Sequence, residues 1–124
     1  MIYKKSWKYI LIIDGLDIYD IYHLYRVKAV KNFSDVSIGD TGGYVRGYHN
    51  LSQGGNCWVY DDSKLLNNAK LSENAKAYGK SIIAKESSIS GNIVIIESSW
   101  ITGRSIITGN RILSGVWYQD KVEN

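Results

Sequence analysis

The sequence predicts an all-β chain in which short N-terminal strands lead into a repetitive β-solenoid. Three observations carry that expectation. Ten aliphatic residues, Val59, Leu65, Leu71, Ala77, Ile83, Ile89, Ile95, Ile101, Ile107 and Leu113, stand six apart without a slip. Two places after each comes Gly, Asp, Asn, Glu or Lys, and four places after comes, in most repeats, Ser or Ala. The 124 residues hold twelve glycines and no proline, so glycine and its polar substitutes must make the turns.

Period six cannot belong to a helix, because successive apolar positions would rotate around its axis. It suits a short strand plus a corner. The small residue and the aliphatic lie two apart and point to one strand face, while the residue between them points to the other. The Gly/Asp/Asn/Glu/Lys position makes the corner.

Composition shifts near residue 36. Before it, "WKYILIIDGLDIYDIYHLYRVKAVKNF" predicts strands at 7–14, 18–21 and 23–30, with "DGLD" as a turn. The expected organisation is a single domain. It has an N-terminal strand element at 1–35, an irregular first coil at 36–57, the repeat at 58–118 and a C-terminal tail at 119–124.

The six-residue lattice resembles the hexapeptide repeat of left-handed parallel β-helices, from about Val45 to Tyr118. That resemblance implies triangular coils of three hexads each, stacked about 4.8 Å apart. The ten regular hexads, with a weaker lattice through Cys57, Leu51 and Val45, then give about four triangular coils. "LYRVKAVKNF", "IGDTGGYV" and "NLSQGGNCWVYDDS" resemble a family of small phage, prophage and bacterial proteins. This likeness implies a β-solenoid behind a small N-terminal β element, and supplies no catalytic residues.

With three faces, residues 18 apart stack. The outward columns expected are Trp58, Lys76, Val94, Ile112; Lys64, Ile82, Trp100, Tyr118; and Lys70, Ser88, Ile106. Each turns from lysine to apolar along the chain. The doublets Trp100-Ile101, Ile106-Ile107 and Ile112-Leu113 thus have one inward and one outward member. The expected protein interface is Ile82, Val94, Trp100, Ile106, Ile112 and Tyr118, since monomers seldom expose contiguous apolar patches. Cover by the N-terminal strands and plain exposure are the two alternatives. At the far end, Trp117 is expected to act as a lid and Arg111 to turn out to solvent, because a buried unpaired charge is too costly.

Other chemistry is thinly marked. The net charge of +3 is too mild to imply nucleic acid. Lys4, Lys5 and Lys8 among Tyr3, Trp7 and Tyr9 are the candidate nucleic-acid contacts, and lysines guarding an edge strand explain the same residues. Cys57, the only cysteine, excludes an internal disulfide and is expected to be a small buried hydrophobe. The serine column 63, 81, 87, 99, 105 is expected to pack inward with internal hydrogen bonds. No metal-ligand spacing, phosphate loop, leader peptide or membrane span is visible, so no metal or cofactor is expected and a cytoplasmic location is.

The hexapeptide resemblance implies acyl transfer from coenzyme A thioesters with a histidine base. His23 and His49 are the only histidines, and both lie outside the regular hexads. The expectation is therefore a protein without enzyme activity, acting by protein binding or self-assembly through its apolar faces. The phage-type likeness implies an accessory protein in the host cytoplasm, such as an inhibitor of a CRISPR-type defence system, or a phage structural component. An acyltransferase-like enzyme and a nucleic-acid-binding protein are the alternatives.

Overall fold

The computed structural model of the chain describes residues 6–13 and 23–124. The expected strand at 18–21, the "DGLD" turn, Lys4 and Lys5 lie outside those residues. Strands β1 (Tyr9–Ile12), β2 (Tyr25–Ala29) and β3 (Thr41–Val45) form an antiparallel element with Tyr9 opposite Ala29 and Tyr25 opposite Val45. β3 then runs parallel to β5 (Lys64–Leu65), so the element continues directly into the solenoid.

The solenoid strands are two or three residues long. β4 (Trp58–Val59), β7 (Lys76–Ala77), β10 (Val94–Ile96) and β13 (Ile112–Ser114) stack in parallel as one sheet. β6 (Lys70–Leu71), β9 (Ser88–Ile89), β12 (Ile106–Ile107) and β15 (Val122–Glu123) form a second. β5, β8 (Ile82–Ile83), β11 (Trp100–Thr102) and β14 (Trp117–Gln119) extend the N-terminal element into a seven-stranded third. The expected architecture of antiparallel strands followed by a parallel β-solenoid of about four turns is what the chain forms.

The lattice explains why. All ten inward aliphatics are at most 4% exposed. All ten residues two places later have positive φ: Asp61, Asn67, Glu73, Lys85 and Glu97 between 54° and 66°, and Gly79, Gly91, Gly103, Gly109 and Gly115 between 61° and 107°. That left-handed step turns the backbone at each corner, and returns the chain over itself after three. Backbone bonds then run along the axis, as in Lys76 N–H to the Ile93 carbonyl at 2.9 Å and Val94 N–H to the Arg111 carbonyl at 2.9 Å. The serine column packs inward as expected. Ser63 donates to the Tyr60 carbonyl at 2.6 Å and Ser99 to the Ile96 carbonyl at 3.0 Å. Asn56, Asn74, Asn92 and Asn110 stack at another corner, with the Asn92 amide donating to Asn110.

The last coil departs from the lattice. Trp117 pairs with Trp100 and Val122 with Ile106, offsets of 17 and 16 residues where the regular coils from Trp58 onward keep 18. Two successive corners of this coil are each one residue short, and the first exchanges the expected roles of two aromatics. Trp117 is no lid; it stands outward above Trp100, 76% exposed. Tyr118 is not outward; it sits above Ile101 and packs half-buried against the core. Residues expected as a tail contribute the end of β14 and all of β15. Arg111 is exposed, as expected, and pairs with Glu123, whose carboxyl it holds below the usual range.

The other end is plugged by side chains. Lys8 and Cys57 are both fully buried. The Lys8 ammonium donates to the Cys57 carbonyl at 2.7 Å and lies 3.3 Å from its Sγ. The Tyr9 hydroxyl donates to the Leu51 carbonyl at 2.5 Å. Gln53 accepts from the Lys8 and Tyr9 amides and donates to the Tyr9 carbonyl, as a neighbouring strand would. These groups answer polar backbone that a first coil must otherwise bury unpaired. Burial pushes the Cys57 thiol and the Tyr9 phenol up and the Lys8 ammonium down.

Two outcomes follow from these observations. Glu97 spends about 1–2 kcal/mol on left-handed backbone that Asn tolerates better. Glu97→Asn should therefore raise stability in urea unfolding, by up to about 1 kcal/mol, whereas Gly91→Ala should lower it because its Cβ would meet the Gly109 carbonyl oxygen at 2.7 Å. In alkali, the unfolded thiol ionises from its ordinary 9.0 before the buried one does. Its contribution is thus complete below pH 9 and lost as pH rises, while the penalty for burying Lys8 fades toward its ordinary 10.5. Between pH 9 and 10, Cys57→Ala should make the slope of stability against pH more positive.

Candidate interaction surface

Outward residues in the early coils are cationic or covered. Trp58 heads its column yet is only 1% exposed, because Tyr9 and Phe33 meet its rings edge-on at 6.1 and 5.1 Å. Intrachain cover therefore exists over Trp58. Lys76 below it donates to Ser34 at 2.8 Å. On the seven-stranded sheet, Tyr44 lies between Arg26, 4.3 Å from its ring centroid, and Lys64 at 5.3 Å. At the neighbouring corner Tyr60 stacks on Tyr78 at 4.1 Å and donates to Asp35 at 2.6 Å. Burial and that carboxylate push the Tyr60 phenol up.

The late coils differ. Of the residues expected as an interface, Trp100, Ile106 and Ile112 are 47%, 49% and 68% exposed, while Ile82 and Val94 are half-buried. They do not share one face. Ile82 and Trp100 stack on the seven-stranded sheet, Val94 and Ile112 on the β4 sheet, and Ile106 on the β6 sheet. The surface is a set of three short apolar columns around the same end of the solenoid. Tyr118 leaves the set and Trp117 joins the column of Ile82 and Trp100. Val122, 70% exposed, extends the Ile106 column. Sequence spacing concealed both additions, because the two shortened corners shift the register. Their signal was the apolar residue at positions 117 and 122, each five places after the previous outward apolar residue.

The candidate nucleic-acid contacts fare differently. Lys8 is committed to the plug and has no exposed surface, so it cannot reach a phosphate. Lys4 and Lys5 lie outside the described residues. Cys57 is buried as expected, with the Lys8 ammonium as an unforeseen neighbour.

Both histidines are exposed, and His49 places Nε2 2.9 Å from the Asn67 carbonyl oxygen. Among the described residues, no three His, Cys, Asp or Glu side chains group as metal ligands. No helix among them is long and apolar enough to cross a membrane. An apolar groove lies between Leu11, Ile13, Tyr25, Arg46 and Tyr48, where the N-terminal strands meet the first coil.

No protein-family model matches the chain. It is similar to a curated protein of Escherichia coli (strain K12) named "Uncharacterized acetyltransferase YdcK", with 34% identity over 67 residues. The match covers 54% of this chain and 17% of that protein, so the chain spans less than a fifth of the relative's length. It fits the hexapeptide likeness read from the repeat and does not bear on the phage or CRISPR association. It also corrects one expectation: a protein without enzyme activity was anticipated, and the similar protein bears the name of an acetyltransferase.

Proposed function

We propose that the chain works by protein association through the outward apolar residues of its last coils. One observation carries this reading. Trp100, Ile106, Ile112, Trp117 and Val122 stand 47–76% exposed at positions where the earlier coils place Lys64, Lys70 and Lys76. Burying each such side chain is worth about 1.5–3 kcal/mol. Several together offset the roughly 4–15 kcal/mol that association costs in lost freedom.

Acetyl transfer is the second reading, and the similarity to the named acetyltransferase favours it. An imidazole titrates near neutral pH and suits a general base, and His49 is the histidine within the solenoid's first coil.

Sedimentation tests the first reading. The chain, alone or in extract of the cells that produce it, should run in species heavier than its 14.0 kDa. Trp100→Lys with Ile106→Lys should weaken that association about tenfold or more while circular dichroism stays unchanged. A chain running only at its own mass in both settings would falsify the proposal, as would a variant that associates like the parent. For the second reading, acetyl-coenzyme A should raise the melting temperature saturably, and His49→Ala should remove thioester turnover. No shift and no turnover would sink it.

A further inference from the structure

The last coil presents backbone groups that nothing in the described chain answers. Val94 donates to the Arg111 carbonyl at 2.9 Å, and Gly115 to the Ile96 carbonyl at 3.4 Å. Alternation along a parallel strand then turns Leu113 toward β10, and turns the N–H and C=O of Ile112 and Ser114 off the open edge. On the next face, Trp100 donates to the Val116 carbonyl at 2.8 Å and Asp120 to the Thr102 carbonyl at 3.3 Å. That leaves the backbone groups of Trp117 and Gln119. On the third face, Ile106 donates to the Lys121 carbonyl at 2.7 Å and Thr108 to the Glu123 carbonyl at 3.0 Å, leaving those of Val122. Three open strand edges therefore face one direction. An apolar residue stands on each: Ile112, Trp117 and Val122 at 68%, 76% and 70% exposure.

We propose that a second copy of the chain closes this end, tail to tail, about a two-fold axis perpendicular to the solenoid axis. The inference rests on the association reading above and names its occupant. Strand direction selects a copy in this arrangement. The rotation reverses the sense in which the coil winds, so all three edges meet antiparallel. With the axis through the β14 face, β14 meets its own copy, and β13 meets the copy of β15. Antiparallel edges pair well and the isologous contact closes without forming a fibre. Head-to-tail stacking has no partner surface, because the β1–β3 element, Lys8, Tyr9 and Gln53 occupy the opposite end. Charge is complementary too. Arg111 flanks β13 and Glu123 belongs to β15, and the two pair within one chain. Facing β13 with a second β15 sets each cation near a carboxylate of the other copy.

Light scattering and amide exchange on the 124-residue chain test this. The expected mass at high concentration is twice 14.0 kDa. The amides of Ile112, Ser114, Trp117, Gln119 and Val122 should be protected there, and should lose that protection on dilution to monomer. Gln119→Pro removes an edge N–H that makes no intrachain bond, and should raise the dimer dissociation constant about tenfold or more. Monomer at every concentration overturns the inference, even where the chain associates with another protein in extract. A dimer whose five edge amides exchange freely also overturns it, while leaving association through the lateral faces standing. Should the proline variant not fold, the exchange measurement on the parent chain still decides.

Discussion

Everything in this fold depends on a corner: a residue two places after each inward aliphatic that enters the left-handed region. Ten such residues make ten corners, and only five are glycine. The other five, Asp61, Asn67, Glu73, Lys85 and Glu97, accept backbone that L-residues disfavour. Their neighbours outweigh that cost. Each corner places one aliphatic in the prism, one small residue beside it and one set of backbone bonds along the axis. If a corner fails to turn, the next strand misses its neighbour a coil away, and the packing and hydrogen bonds fail together.

A stack of strands has two ends, and the chain treats them differently. At the start, the antiparallel element supplies a strand that continues the sheet, and side chains imitate backbone where no strand reaches. The Lys8 ammonium and Tyr9 hydroxyl act as donors to first-coil carbonyls, and Gln53 provides both donor and acceptor to β1. At the finish, a shortened corner rotates Tyr118 over the core, and Lys121 lies over its ring while pairing with Glu123, the partner of Arg111. This seals the apolar interior while the strand edges stay open.

The outward surface follows the same polarity. Lysines populate the coils nearest the N-terminal element, and apolar residues the coils farthest from it. Among the described residues, the one outward aromatic that the N-terminal element covers completely is Trp58.

The sequence by itself determined the repeating unit: the ten buried aliphatics, the corners, the serine packing and the number of turns. These are local properties, because period two within a strand and a left-handed residue at a corner act over six residues. Tertiary structure decided what depends on residues far apart. Lys8 looks like a surface cation until Cys57 and the Gly54 and Gly55 carbonyls surround it, 46 to 49 residues away. Trp117 and Tyr118 exchange faces because the corner before them loses one residue, and an odd shift in a period-two strand inverts every side chain. The three columns were legible in the spacing, and the structure decided that they do not merge into one contiguous patch. Spacing states which residues stack, and the closed triangle sets how far apart the stacks stand.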